Sequence, residues 1–231
     1  LGKLQGREVD STHPALLAAQ GGDMGYLRRA VQQGDDLTVC DDEGLTMAHW
    51  AARTGQGIFL RVLHALKVDL SATDKKGFTL AHYAAQTGHE GCLRVLHELN
   101  AGCLSATSKH ESTPAHYVAY YGHERCLRVL HEFKINLSAV NINGETPAHF
   151  AARNGHVECL SVLHGLNRGC LSVADTYGWA PVHYAAFYGQ KGCLSFLHGL
   201  NRGCLSATDE KGATPAHLAA QKGHVECLSV L

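Results

Sequence analysis

The chain has 231 residues, a formal net charge of −1 and 45% hydrophobic residues. This length suits one large domain or two small ones, and the composition allows a buried core, while the near-zero charge excludes a broadly basic surface for nucleic acid or membranes. No apolar run approaches the roughly 18 residues of a membrane span, and no signal peptide is visible.

A short motif recurs along most of the chain at a nearly constant period. Its histidines lie 33, 34, 33, 34 and 34 residues apart, at His49, His82, His116, His149, His183 and His217. Such a period predicts stacked repeats, because one unit cannot bury its apolar face alone. We expect a single domain over 1–231, divided into a degenerate unit at 10–40, repeats at 41–73, 74–107, 108–140, 141–174 and 175–208, and a truncated repeat at 209–231.

Each repeat is predicted to begin with a short helix. Pairs such as Thr113-Pro114 mark its start, because threonine caps a helix and proline suits the first helical position. A glycine such as Gly122 ends it, because glycine adopts the left-handed conformation easily. Ala180 replaces the capping threonine in one repeat, a predicted loss of about 1 kcal/mol.

A second helix follows, with apolar residues that cover most of one face. Asparagines stand where this helix should end and are predicted to adopt the left-handed conformation, at Asn100, Asn167 and Asn201. Three repeats then carry one extra residue, at Gly102-Cys103, Gly169-Cys170 and Gly203-Cys204. A polar stretch with glycine, such as residues 74–77, is predicted to turn the chain back as a hairpin.

These motifs resemble the ankyrin repeat, whose pattern is threonine-proline-leucine-histidine, an alanine pair and glycine-histidine. Six copies match from about residue 41 to 231, and residues 10–40 resemble a degenerate copy without the histidine. The resemblance implies an all-α ankyrin-repeat solenoid of helix-turn-helix units with hairpin fingers. It also implies that the first-helix histidines hydrogen-bond backbone between hairpins, and that the chain is a protein-interaction scaffold.

Seventeen histidines and nine cysteines suggest a metal site, but their spacing does not support one. Cys92 and His97 lie five residues apart, on different faces of a helix, and no CxxC or HExxH occurs. No P-loop or nucleophile motif is present either. We therefore predict no metal, no cofactor, no catalytic residue and no enzyme activity.

The cysteines recur at repeat spacing and are interpreted as reduced thiols, with those of the second helices as small core residues. Reduced thiols favour the cytosol or nucleus, or a host cytosol if the chain is a translocated bacterial effector. A histidine also recurs in the second helix, at His64, His97, His131, His164 and His198. Two interpretations stay open for this row: semi-exposed packing, or a ladder that senses pH.

By resemblance, a partner would bind the concave groove formed by the hairpin tips and the ends of the first helices. Aromatic residues and an arginine at these positions have the composition of a protein-binding hot spot: Phe78, Tyr120, Tyr121, Arg153, Tyr177, Trp179, Phe187 and Tyr188. The alternative is that these rings pack on each other or on the extra-residue loops. The rings that directly follow the first-helix histidines, such as Tyr184, are interpreted as packing between repeats.

The sequence thus favours a scaffold that binds a protein partner, without nucleic acid or membrane insertion. The alternative function is a passive spacer or targeting arm for a catalytic or effector domain outside these residues. The chain begins at Leu1 without methionine and stops at Leu231 within a second helix. We therefore expect a fragment that continues past residue 231, or an open end that packs on another molecule.

Overall fold

The computed structural model describes residues 7–231, which form two compact units. The first unit ends at Lys109 and the second spans His110–Leu231. Both are built from pairs of short helices; the described residues contain isolated β-bridges at Cys40 but no strand, which confirms the all-α fold class. None of the described helices is long and apolar enough to cross a membrane. The repeat boundaries within a single domain stay a prediction.

The helices of the first unit are α1 (Pro14–Gly21), α2 (Met24–Gln33), α3 (Met47–Arg53), α4 (Gly57–Ala65), α5 (Leu80–Thr87) and α6 (Glu90–Asn100). Those of the second unit are α7 (Pro114–Tyr121), α8 (Glu124–Glu132), α9 (Pro147–Asn154), α10 (Val157–Leu166), α11 (Pro181–Phe187), α12 (Lys191–Leu200), α13 (Pro215–Lys222) and α14 (Val225–Leu228). Short 3₁₀ helices at Ala101–Leu104, Cys170–Ser172 and Arg202–Ser206 follow α6, α10 and α12. The predicted degenerate unit therefore contains a helix pair of its own, α1 and α2.

First helices pack side by side within each unit, and second helices form a layer behind them. In the first unit α3 packs against α1 and α5, and in the second unit α9 packs against α7 and α11. Small residues allow this approach, since Ala148 and Ala151 on α9 are almost completely buried. The second helices bury leucines such as Leu127 and Leu160 fully. The core therefore follows the periodic apolar pattern of the sequence.

Every first helix after α1 is tied at its start to the histidine of the motif. In α7 the backbone N–H of Thr113 donates to Nδ1 of His116 over 3.0 Å, and the threonine hydroxyl lies 2.9 Å from the same nitrogen. Thr146 and His149 repeat this geometry at the start of α9. Because Nδ1 accepts a backbone proton, the imidazole carries its own proton on Nε2.

The Nε2 atoms of three motif histidines connect a first helix to the next hairpin in its unit. Nε2 of His116 donates to the carbonyl oxygen of Glu145, and Nε2 of His149 donates to that of Trp179, both over 2.9 Å. Nε2 of His49 lies 3.3 Å from the carbonyl oxygen of Phe78, whereas Nε2 of His183 lies 3.2 Å from that of Ala207, which precedes the next hairpin. The hydrogen bonds between hairpins that the resemblance implied are therefore confirmed for the first three residues.

First helices end as predicted, and second helices do not. Gly122 ends α7 with a φ of 81°, in the left-handed region that favours glycine. Asn167 and Asn201, however, are extended, with a φ of −149° each, so the prediction of left-handed asparagines is wrong. Their side-chain oxygens instead accept from the backbone N–H two residues later and begin the 3₁₀ turns that hold the extra residue.

The extra residue also changes how the second helix ends and how its histidine is covered. Where it is absent, Lys67 and Lys134 adopt positive φ values of 63° and 58° after the helix, and His64 and His131 are exposed. Where it is present, the histidine is half-buried: His97, His164 and His198. These positions agree with semi-exposed packing, and the pH-sensitive ladder stays a prediction.

Replacing Ala180 by threonine should stabilise the protein by about 1 kcal/mol. Ala180 keeps the backbone bond to Nδ1 of His183 (3.1 Å) but lacks the hydroxyl that its counterparts place beside this nitrogen. The urea midpoint of Ala180→Thr should rise and that of the control Thr146→Ala should fall. The two changes in the free energy of unfolding should be similar in size. An unchanged midpoint for both variants would contradict this role of the hydroxyl.

Acid should destabilise the fold through the buried motif histidines. Burial lowers the pKa of His49 and His116 to about 4, and it also lowers the pKa of His149 and His183. Unfolded histidine binds a proton near pH 6.5, so the unfolded state gains protons first as the pH falls. Stability is therefore complete above about pH 6.5 and is lost toward pH 4, by about 1.4 kcal/mol per pH unit and histidine.

Urea unfolding between pH 7.5 and 5.0 measures this loss, because most carboxylates stay ionised in that range. We expect the unfolding free energy to decrease steadily below pH 6.5, and His116→Gln to reduce the slope. A stability that is constant down to pH 5.0 would show that these imidazoles are not held neutral.

Candidate protein-binding surface

Hairpin carboxylates fix the loops that lead into the first helices. In the hairpin before α11, Oδ1 of Asp175 accepts the backbone N–H groups of Tyr177 (2.8 Å) and Trp179 (2.9 Å). The indole N–H of Trp179 in turn donates to Oδ2 of Asp209 in the following hairpin (3.1 Å). Trp179 is therefore anchored at both its backbone and its ring, and it is half-buried.

Tyr184 connects two of these hairpins through one hydroxyl group. Its oxygen lies 2.7 Å from Oδ2 of Asp175 and 2.8 Å from Oε1 of Glu145, which belongs to the previous repeat. Burial and these two carboxylates raise the pKa of Tyr184, so the hydroxyl stays protonated as a donor. Tyr83 makes a single contact of this type, with Asp74, in the first unit.

Arg153 lies at the centre of the aromatic residues in the second unit. Its Nη2 donates to Oε1 of Glu145 over 2.6 Å, and Glu145 is almost completely buried. Burial acts to raise the pKa of Glu145, but hydrogen bonds from Asn141 and Tyr184 and the charge of Arg153 lower it overall. The carboxylate therefore stays ionised and neutralises the guanidinium group.

The same guanidinium group lies over three aromatic rings. Its Cζ is 4.9 Å from the ring centroid of Tyr184, 5.4 Å from that of Tyr188 and 5.6 Å from that of Phe150. Nε of Arg153 is buried without a hydrogen-bond partner, so ring contacts replace part of its hydration. Arg153 therefore organises the rings and presents no uncompensated charge.

Further ring contacts extend this arrangement to both sides. Tyr120 lies 4.9 Å from Tyr121 and 6.0 Å from Phe150, while Phe187 lies 5.1 Å from both Trp179 and Tyr188. We call this set the ring cluster: Tyr120, Tyr121, Phe150, Arg153, Trp179, Tyr184, Phe187 and Tyr188. The rings thus pack on each other, as one of the two interpretations expected.

Packing leaves part of the ring cluster at the surface. Tyr120, Tyr121 and Tyr188 are 37%, 46% and 44% exposed. Phe187 and Trp179 are half-buried, whereas Phe150 and Tyr184 are buried. The cluster therefore consists of a buried base, held by Arg153 and the hairpin carboxylates, and an exposed tyrosine rim.

Six of the eight candidate residues belong to the ring cluster. The other two do not: Tyr177 is 64% exposed at a hairpin tip and makes none of these ring contacts. Phe78 lies in the first unit, where it stacks on His82 at 5.1 Å. The roles of Glu145 and Tyr184 were not predicted from the sequence.

The sequence held one signal for the ion pair of Glu145 and Arg153, namely an acidic residue eight positions before an arginine.

Side chains from each following repeat hold the helix ends that carry the ring cluster. Nε2 of His156 donates to the carbonyl oxygen of Tyr120 (2.9 Å), and Nε2 of His224 donates to that of Phe187 (3.0 Å). A glutamine does the same at the intervening repeat, where Nε2 of Gln190 donates to the carbonyl oxygen of Arg153 (2.9 Å). Imidazole and amide are therefore interchangeable here as N–H donors.

The nine cysteines form no disulfide bonds in the described part of the chain, and eight of them are buried. Burial raises the pKa of Cys92 to about 11 and that of Cys159 and Cys193 to about 12, so these thiols stay protonated. No three histidine, cysteine or acidic side chains among residues 7–231 come together as metal ligands.

Gly122→Ala should destabilise the second unit and loosen the ring cluster. A Cβ there would lie 2.6 Å from Nδ1 of His156, and the φ of 81° adds about 1–2 kcal/mol of backbone strain. Gly165→Ala, within α10, is the control, because nothing lies within 4 Å of its Cβ. The control should gain about 0.5–1 kcal/mol in urea unfolding. Equal effects of the two substitutions would refute the close-approach argument.

The comparisons with known proteins cover most of the chain. A family model described as ankyrin repeats (3 copies) matches residues 15–107 and 164–231, and one described as ankyrin repeats (many copies) matches residues 115–164. A search of curated proteins finds no match. Ankyrin repeats are generally protein–protein interaction modules, and domains made of them are typically non-catalytic. Together with the repeated helix pairs, these matches show that the chain belongs to the ankyrin-repeat family.

Proposed function

We propose that the ring cluster binds a protein partner and that the chain acts as an interaction scaffold. The observation that carries this proposal is the exposed rim of Tyr120, Tyr121 and Tyr188 above a base that is already ordered. Tyrosine at a surface supplies a large contact area and a hydroxyl group at a small loss of side-chain entropy. Aromatic residues and arginine are also the residue types that dominate binding hot spots.

The order within the cluster supports binding because it reduces the entropy that association must remove. Arg153 is fixed by Glu145 and by three rings, and the adjoining helix ends are held by His156 and Gln190. Side chains that are immobilised before binding lose less freedom when a partner arrives. The lack of disulfide bonds among the nine cysteines supports, within the same proposal, a reducing compartment.

Removing two rim tyrosines should abolish partner capture without unfolding the chain. Tyr121→Ala with Tyr188→Ala removes exposed rings, whereas Trp179 is unsuitable because it also anchors the hairpin of Asp209. We expect proteins captured from a cell lysate by the wild type to be lost with the double variant. Ile58→Ala, which removes a 73% exposed apolar side chain in the first unit, should retain them.

Circular dichroism should be the same for all three proteins. Capture by a folded double variant at the wild-type level would place the binding surface elsewhere. The absence of any tyrosine-dependent partner would favour a passive spacer.

A further inference from the structure

We propose that the partner segment is a short peptide in which an apolar side chain is followed closely by a carboxylate, and that Lys222 receives this carboxylate. The inference rests on the proposed function of the ring cluster and specifies the chemistry of its partner. The carboxylates at the base of the ring cluster already accept hydrogen bonds or an ion pair from within the chain, whereas the ammonium group of Lys222, next to the cluster, has no ion-pair partner among the described residues.

The carboxylates at the base of the cluster already have their oxygens occupied. Glu145 pairs with Arg153, while both oxygens of Asp175 and of Asp209 accept hydrogen bonds from backbone N–H groups and from Tyr184 and Trp179. Asp175 and Asp209 keep their negative charge, but a cationic side chain would have to compete with these donors for their oxygens. A basic peptide would therefore gain less at the rings than one with a carboxylate.

Lys222 is the uncompensated charge beside the rings. It ends α13, is exposed, and holds its Nζ 4.3 Å from the ring centroid of Phe187. None of the carboxylates among residues 7–231 forms an ion pair with it, whereas Nζ of Lys191 lies 3.8 Å from Glu226. The ring contact positions the ammonium group while leaving it able to bind an anion.

The distances set the spacing within the peptide. The ring centroid of Phe187 lies 5.1 Å from that of Tyr188 and 4.3 Å from Nζ of Lys222. Consecutive residues of an extended chain advance about 3.3–3.6 Å. An apolar side chain over Phe187 and Tyr188 would therefore be separated from the carboxylate by no more than about two residues.

A peptide suits this surface better than a nucleic acid does. Aromatic rings can stack on bases, but single-strand binding sites also follow the phosphate backbone with several cations. Here Arg153 is neutralised by Glu145, and Lys222 places a single ammonium group against a ring of the cluster. One ammonium group matches one carboxylate of a peptide.

Selection of random 12-residue peptides from a display library tests the proposal with the full chain as bait. Wild type and the control Lys191→Glu should enrich peptides with an aromatic or branched apolar residue and Asp or Glu within two positions. Lys222→Glu should lose the acidic residue or replace it with Lys or Arg. The control keeps the change of charge but lies on α12, where Lys191 already has a partner.

A selected peptide is then synthesised with its acidic residue and with the matching amide. By fluorescence anisotropy at low salt, the acid should bind wild type about two- to fivefold more tightly than the amide, as expected for an exposed ion pair. This advantage should disappear at 500 mM salt and in Lys222→Gln. Peptides selected without acidic residues, or equal affinities of acid and amide, would overturn the inference while leaving the proposed function intact.

Two further outcomes separate the inference from the proposed function. Failure to enrich any peptide overturns the inference alone, whereas enrichment that survives Tyr121→Ala with Tyr188→Ala contradicts both. Binding of a single-stranded oligonucleotide more tightly than the selected peptide overturns the choice of a peptide.

Discussion

The hydrogen bonds of the buried motif histidine are the constraint on which the remaining structure depends. In His116 and His149, Nδ1 accepts from the residue that precedes the helix while Nε2 donates to a carbonyl oxygen about 30 residues later. A buried imidazole with both nitrogens satisfied adds no unpaired polar group to the core. It also sets where the next hairpin lies relative to the helix. The constant period of the sequence therefore reflects a fixed geometry between hairpins of one unit.

The binding surface follows from that geometry in successive steps. Once the hairpins are placed, Asp175 and Glu145 lie close enough to share the hydroxyl group of Tyr184. Glu145 then holds Arg153, and Arg153 holds the neighbouring rings. At each step a polar or charged side chain fixes the position of the next one. The exposed tyrosines therefore lie on a base that framework contacts hold in place. A surface built in this way can vary at its rim without changing the fold.

The sequence predicted the framework well and the site only in part. Histidine, glycine and alanine recur at fixed spacing because their contacts recur in every repeat, so the period reveals them. The contact of Glu145 with Tyr184 spans 39 residues and occurs where one repeat departs from the pattern. The repeat period of the sequence therefore does not predict it. Asn167 illustrates a local failure: its side chain starts a turn from an extended backbone, whereas the sequence suggested a left-handed one.

A comparison of the two units supports the proposal that the exposed aromatic residues bind a partner. The first unit has the same histidine bonds, and Arg53 lies 5.0 Å from the ring of Trp50, yet its helix ends carry Thr54 and Thr87 where the second unit has Tyr121 and Tyr188. The framework therefore does not require tyrosine at these positions. Exposed rings that the framework does not require, held from below by the ion pair of Arg153 and Glu145, have the composition of a binding hot spot and so support the proposed contact with a partner.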